Sequence, residues 1–166
     1  MSPDETVLAA PEPLNESHIL DSFDSGVPLL DDWLRRRALM NQASGASRTF
    51  VLCRAARVIG YYALAAGGIA STEAPGRLRR NMPDPIPVTV LGRLAIDRRE
   101  QGKGLGALLL RDALTRAQRA AREMGIAGVL VHAISDDAKR FYQHWGFIEA
   151  PSNTMTLVAR FKDLDA

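Results

Sequence analysis

A turn with three closely spaced glycines, placed between a strand and a long helix, constrains this chain more than any other feature. The turn reads Gly102-Lys-Gly-Leu-Gly and follows the mostly apolar segment 88–97, which predicts a strand. After it, apolar residues recur every three or four positions, which predicts a helix from about Gly104 to Met124. Closely spaced glycines let backbone N–H groups approach an anion, and the helix N-terminus adds its dipole. We therefore expect the peptide amides of residues 101–107, called here the phosphate-binding turn, to bind a pyrophosphate.

Two common nucleotide-binding motifs do not fit this turn. A P-loop ends in Gly-Lys-Ser/Thr, which the chain lacks here. A dinucleotide fingerprint reads Gly-x-Gly-x-x-Gly near the first strand and is followed by an acidic residue about twenty positions later. The glycines here are spaced Gly-x-Gly-x-Gly and come two-thirds of the way along the chain.

The remaining segments predict a mixed α/β domain without internal repeats. Segment 28–40 has the spacing of an amphipathic helix, 41–47 is a turn-rich connection, and 49–64 is a β-hairpin. A loop over 71–87 follows, and after the long helix come a strand over 126–133, a short helix over 136–145 and a last hairpin. We expect residues 1–13 to be a loose leader and 14–166 to be a single domain.

Composition excludes several classes of protein. No apolar run approaches the ~20 residues of a membrane span, and the acidic N-terminus differs from a secretory signal. One cysteine, Cys53, excludes an internal disulfide, and His18, His132 and His144 lack metal-ligand spacing. We expect a cytoplasmic protein with no metal and no membrane partner.

The charge is unevenly distributed along the chain. Residues 1–32 hold eight acids and no Lys or Arg, which gives them a charge of −8. Residues 33–166 carry +10, and the formal total is +2. Of the 21 bases, 18 are arginine, whose planar fork suits phosphate recognition. A polyanionic partner is one interpretation, and a solvated arginine-rich surface is the other.

The turn resembles motif A of the GNAT acetyltransferase superfamily, Arg/Gln-x-x-Gly-x-Gly/Ala, which Arg99, Gly102 and Gly104 fill. The second motif of that superfamily, a strand and a short helix with a tyrosine, is matched by Val129-Leu-Val-His and by Phe141-Tyr-Gln-His-Trp-Gly-Phe. The resemblance implies the GNAT fold, a mostly antiparallel twisted sheet that splays at the cofactor site and is flanked by helices. It also implies acetyl-CoA as co-substrate, bound by Leu94, Ala95, Ile96, Gln101, Gly102, Lys103, Gly104, Leu105, Gly106, Ala107 and Phe141.

Further segments look like the tRNA-acetylating toxins of type II toxin–antitoxin modules. They begin at Phe23, Leu30, Asn41, Gly60 and Leu91, so the resemblance covers nearly the whole chain. It implies transfer of the acetyl group to the α-amine of the amino acid on charged tRNA, which blocks translation. It also implies neutralisation by a ribbon-helix-helix antitoxin, and a homodimer. The alternative is a GNAT enzyme that acetylates a protein N-terminus or a small amine.

The resemblance makes Tyr142 the candidate general acid, because a phenol is protonated at neutral pH and can donate to a departing thiolate. No residue stands out as the general base, and the α-amine, with a pKa of about 7.7–8.0, is partly neutral without one. We expect tRNA phosphates to contact Arg77, Arg79, Arg80 and Arg93, and also Lys139 and Arg140, which precede Tyr142. Arg35–Arg37 is a weaker candidate.

Overall fold

A computed structural model describes residues 7–164 of the chain. The helices and strands are β1 Glu12–Pro13, α1 Pro28–Arg36, α2 Ala38–Ser44, β2 Arg48–Arg54, β3 Arg57–Ile69, α3 Gly76–Arg79, β4 Ile86–Ile96, α4 Leu105–Glu123, β5 Gly128–His132, α5 Asp136–His144, β6 Ile148–Ala150 and β7 Asn153–Arg160. The strands form one sheet in the order β1-β2-β3-β4-β5-β7-β6. β4 and β5 run parallel, whereas β1–β2, β2–β3, β5–β7 and β6–β7 pair antiparallel. The predicted mixed fold with a mostly antiparallel sheet is confirmed.

The chain divides into two compact units, and the first contains the residues up to Leu64 together with Arg93–Ala113. Its core lies between α1 and β2–β3, where the apolar stripe predicted for α1 is buried through Leu30 and Leu34. Pro28 begins α1, Asp31 lies in its first turn, and Arg35 and Arg36 lie in its last, as expected for a helix with this dipole.

The second unit contains Ala65–Gly92 and the residues from Leu114 onward. Leu78 of α3 packs in its core with apolar residues of β4, β5 and β7. β5 is buried at Gly128–Leu130 and lies close to β7, since a Cβ atom at Gly128 would be 2.2 Å from the Ala159 carbonyl oxygen. Only glycine fits at that position. No helix within residues 7–164 is long and apolar enough to cross a membrane.

The helix predicted over 28–40 is two helices in the structure. Arg37, with φ −120° and ψ −31°, separates α1 from α2. The predicted turn over 41–47 is correspondingly wrong in its first half, since α2 continues to Ser44 and ends at Gly45 in the left-handed conformation. Leu29, which was expected on the apolar face, is 82% exposed, because the buried face of α1 is formed by Leu30 and Leu34.

The leader expected over 1–13 is structured in its second half. Residues 1–6 lie outside the described part of the chain. Leu8 forms a bridge with Arg54, and Glu12 and Pro13 of β1 pair with β2. The contacts come from backbone pairing with β2, which sequence composition does not reveal. The division into a leader and one domain stays a prediction.

Candidate active site

The phosphate-binding turn has the backbone that its glycines predict. Gly102 and Gly104 have φ of +81° and +79°, and open space surrounds the position of a Cβ atom at each. The first helical hydrogen bond of α4 runs from the Leu108 N–H to the Gly104 carbonyl at 3.3 Å. The N–H groups of Leu105–Ala107 precede this bond, so they are available to an anion at the helix N-terminus.

Asp97, at the end of β4, fixes the segment that enters this turn. Its carboxylate is buried and accepts hydrogen bonds from the Arg99 N–H, the Arg99 guanidinium and the Asp24 N–H, at 2.9–3.1 Å. Burial alone would raise the pKa of Asp97, but these hydrogen bonds outweigh it and lower the pKa to about 2. Arg99, the arginine of motif A, also donates to the Ser22 carbonyl at 3.0 Å. Its guanidinium therefore supports the turn.

Two predicted cofactor-binding side chains are also engaged with the protein. Gln101 donates to the carbonyls of Ile96 and Ser25, at 2.9 and 3.1 Å. Lys103 forms an ion pair at 3.0 Å with Glu100, which Arg54 also binds. Because these side chains are bound within the protein, the groups of the turn best placed to bind a ligand are its backbone N–H groups.

Leu94–Ile96 lie on the part of β4 that extends beyond its ladder with β5. Within the described residues that ladder begins at Val88 and ends at the pair Leu91 and Val131, whereas β4 continues to Ile96. Ala95 is buried, and Leu94 and Ile96 are half-buried. Since β5 itself ends at His132, the backbone of Leu94–Ile96 has no partner in β5, and the splay of the strands stays a prediction.

Tyr142 belongs to the second unit, on α5, whose N-terminus is capped by the Ser135 hydroxyl. Its ring makes edge contacts with Phe141 and Phe147, at centroid distances of 5.3 and 5.6 Å. Burial raises the pKa of Tyr142, so its hydroxyl carries a proton across the physiological pH range. No residue within 7–164 forms a hydrogen bond with this hydroxyl, so it has a proton to donate to a ligand.

A basic cleft of about 860 Å³ lies in the second unit. Arg77 and Arg80, both predicted to contact RNA, line it together with Arg160 and Lys162. Asp163 forms ion pairs with Arg160 and, at 3.9 Å, with Arg77. Arg79 is exposed on α3 but does not line the cleft. The sequence analysis missed Arg160 and Lys162, because they approach Arg77 only through the packing of α3 against β7.

Arg93 differs from the other predicted RNA contacts. It lies in the first unit, and its guanidinium carbon is 4.2 Å from the ring centroid of Trp33. This contact is a cation–π interaction. The sequence analysis used Trp33 only as an apolar helix residue and did not identify this pair.

Glu12, His18 and Cys53 form the one cluster of metal-ligand types found among the described residues. The Asn15 N–H donates to His18 Nδ1 at 3.0 Å, so the neutral ring carries its proton on Nε2, which lies 2.7 Å from Glu12. Burial, with the nearby Glu12, raises the pKa of Cys53 to about 12. A metal would require a bare Nε2 and a thiolate, so this chemistry favours a hydrogen-bonded cluster.

Comparison with known proteins shows the family. Residues 45–149, more than half of the chain, match the acetyltransferase (GNAT) domain. The chain belongs to the GNAT acetyltransferase family.

This GNAT acetyltransferase is 51% identical over 158 residues to the tRNA-acetylating toxin of Mycobacterium tuberculosis (strain ATCC 25618 / H37Rv), with 95% of each chain covered. It is also similar to the solved structure of AtaT complexed with acetyl-methionyl-tRNAfMet, with a TM-score of 0.86, 31% identity, and 93% and 95% of the two chains covered. A third relative is a tyrosine-to-phenylalanine variant of the AtaT toxin, bound to the C-terminus of the antitoxin AtaR and to acetyl-CoA. Its TM-score is 0.79 and its identity 31%, over 93% and 94% of the chains.

Proposed function

We propose that this GNAT enzyme transfers the acetyl group of acetyl-CoA to the α-amine of the amino acid on charged tRNA, and so blocks translation in the cytoplasm. The observation that carries the proposal is the 51% identity, across 95% of both chains, to a tRNA-acetylating toxin. A ribbon-helix-helix antitoxin would neutralise the enzyme, and the active form would be a homodimer. In a structural relative, AtaT is bound to the C-terminus of the antitoxin AtaR, which supports an antitoxin as partner. The ribbon-helix-helix class of that antitoxin is part of our proposal.

The geometry of the turn supports binding of acetyl-CoA. The unbonded N–H groups of Leu105, Gly106 and Ala107 and the open space at Gly102 and Gly104 suit a diphosphate, which approaches backbone amides closely. The backbone of Leu94–Ile96 would bind the pantetheine arm, and Phe141 would contact the coenzyme beside Tyr142. Gln101 and Lys103 would contribute main-chain groups, since their side chains already bind Ile96, Ser25 and Glu100.

In the proposed reaction the neutral α-amine attacks the thioester carbonyl, an amide bond forms, and the carbon–sulfur bond breaks. Tyr142 donates its phenolic proton to the departing thiolate. The raised pKa of Tyr142 keeps that proton in place before the reaction. The amine loses a proton to water, since no general base is assigned, and Tyr142 takes a proton back from solvent, which restores the phenol.

The basic cleft supports RNA as the acceptor. Its arginines and Lys162 present positive charge over a broad opening, which suits a phosphate backbone. An enzyme that acetylates small amines would be expected to have a narrow acidic acceptor pocket. We assign Arg77 and Arg80 to phosphate contacts inside the cleft, and Arg79 to a contact beside it.

The test is incubation with labelled acetyl-CoA and total charged tRNA, with peptides and small amines in parallel. We expect label on the charged tRNA, and the Tyr142→Phe variant to lower its rate about 10²- to 10⁴-fold, the usual cost of removing a positioned proton donor. Gln143→Ala, an exposed change on the same helix, is the matched control and should leave the rate unchanged. A wild-type rate in Tyr142→Phe would exclude the acid role, and label on peptides alone would exclude the tRNA assignment.

A further inference from the structure

The Arg93 guanidinium packs over an aromatic support. Its guanidinium lies over Trp33, which stacks on Tyr61 with a centroid distance of 6.0 Å and an interplanar angle of 10°. The Tyr61 hydroxyl in turn donates to the Leu30 carbonyl at 2.6 Å. The support is thus fixed to the backbone of α1, and the orientation of the guanidinium is restricted before any ligand arrives.

The donors of Arg93 are unused by the protein. Within residues 7–164 the Arg93 guanidinium forms neither a hydrogen bond nor an ion pair, although it is half-buried. Burial lowers the pKa of Arg93, and the nearby Tyr61 opposes this shift to a smaller extent. Arg99 and Arg54, by contrast, each bind a carboxylate. A half-buried guanidinium with five unpaired N–H donors is unfavourable by itself and suits a ligand with anionic oxygens.

Arg93 lies on β4 directly before Leu94–Ile96, the segment proposed to bind the pantetheine arm of acetyl-CoA. Side chains alternate along a strand, so Arg93 and Ala95 share one face, and Ala95 packs in the core with Leu34 of α1. Ile96 lies on the other face, because a Cβ atom at Gly60 would meet both Ile96 and Leu109 of α4. The phosphate-binding turn leads into α4. Arg93 therefore projects from the strand face opposite to α4, one residue before Leu94.

We propose that Arg93, held by Trp33, binds the last phosphodiester of the charged tRNA, the one between the terminal cytidine and adenosine. This inference rests on the proposed function and names the contact that places the aminoacyl end beside β4. The planar fork of a guanidinium matches two phosphate oxygens, and its outer face can stack on an unpaired base. Unlike the contacts proposed for the basic cleft, this contact involves only the 3′ end of the tRNA, which carries the amino acid. A short fragment of that end is therefore enough to form it.

Two minimal substrates isolate the contact: aminoacyl-adenosine, which lacks a phosphodiester, and aminoacyl-cytidylyl-adenosine, which has one. We expect Arg93→Gln to lower kcat/KM for the dinucleotide about 10- to 100-fold, the usual effect of losing a charge-assisted hydrogen bond. The value for aminoacyl-adenosine should stay unchanged. Arg93→Lys keeps the charge without the fork, and it should show a smaller loss confined to the dinucleotide. Trp33→Leu should resemble Arg93→Lys, because it removes the support but not the charge.

Arg122→Gln, an exposed change in the last turn of α4, is the matched control and should leave both short substrates unaffected. Acetyl-CoA binding, measured by calorimetry, should be the same in every variant, which confirms folding. Equal losses on both substrates, or no loss on the dinucleotide, would overturn the phosphodiester contact. A wild-type enzyme that acetylates neither the fragments nor charged tRNA would overturn the proposed function itself, and this contact with it.

Discussion

Asp97 is the residue on which the geometry of the phosphate-binding turn depends most. Its carboxylate is fully buried and accepts hydrogen bonds from the backbone N–H groups of Arg99, which precedes the turn, and of Asp24. Arg98 strengthens the same junction, donating to the Asp24 carbonyl through its backbone and to the Asp24 carboxylate through its side chain. Removing one charged acceptor would leave several donors without a partner.

We predict that Asp97→Asn destabilises the protein by about 2 kcal/mol at pH 7, the equivalent of lowering a pKa from 3.8 to about 2. Because the folded-state pKa is depressed, this stability is present above about pH 4 and is lost as the pH falls towards 2. Urea unfolding at several pH values measures it. The variant should show a smaller loss of unfolding free energy than the wild type between pH 4 and pH 2, and parallel curves would contradict the role of the carboxylate.

The sequence identifies the residues of this turn but not their partners. Gln101 and Lys103 were expected at the cofactor through their place in the motif, yet their side chains bind carbonyls and a carboxylate of the protein. Ser25, which accepts from Gln101, and Ser22, which accepts from Arg99, lie more than seventy positions earlier in the chain. Spacing within a motif carries no information about contacts between residues so far apart in the chain. The contact between Arg93 and Trp33 was not predicted for the same reason.

At the scale of elements, the strand–turn–α4 unit follows directly from local signals. The sequence predicts the glycine-rich turn, the apolar periodicity of α4 and the apolar strand before them, and the structure adds the positive φ of Gly102 and Gly104. The break at Arg37 was not predicted, because Leu39 keeps a helical spacing to residues of α1 while the backbone changes direction. β1 was missed because two residues carry no periodic pattern, and it exists only through its pairing with β2.

We predict that Gly104→Ala weakens acetyl-CoA binding about tenfold. An L-residue at φ +79° costs about 1–2 kcal/mol, so the turn would shift away from the conformation that presents its amides. Calorimetric titration with acetyl-CoA measures the effect. Gly125→Ala is the matched control, since that glycine has open space and an ordinary φ, and it should bind like the wild type. Unchanged affinity in Gly104→Ala would argue against this backbone as the diphosphate site.

On the scale of the whole molecule, the acidic and basic parts of the chain have different roles. Acids of the first 32 residues form internal contacts: Glu12 with His18, Asp24 with Arg98, and Asp31 with the Ser25 hydroxyl. The basic remainder presents Arg80 and Lys162 at the cleft without ion-pair partners among the described residues. The charge asymmetry of the sequence fits either a polyanionic partner or a solvated arginine-rich surface, and only the structure shows which bases converge on one surface.

We predict a steep decrease in affinity for charged tRNA between 50 and 200 mM salt, because phosphate contacts release counterions. Arg80→Gln combined with Lys162→Gln should reduce the slope of log affinity against log salt by about two, one for each phosphate contact. Arg122→Gln, an exposed change at the end of α4, is the control and should not alter the slope. Filter binding at graded salt gives the result, and a flat wild-type profile would contradict electrostatic recognition.

Cys53, the single cysteine of the sequence, has a consequence for work on the protein. It is inaccessible, and burial raises its pKa to about 12, so the sulfur is held as the unreactive thiol at pH 7. Cellular oxidants and maleimide dyes should therefore leave the native sulfur alone. A cysteine introduced on the surface, next to the cleft or on α5, would be the sole labelling point, and a fluorophore there could follow nucleic acid docking without any prior removal of the native residue.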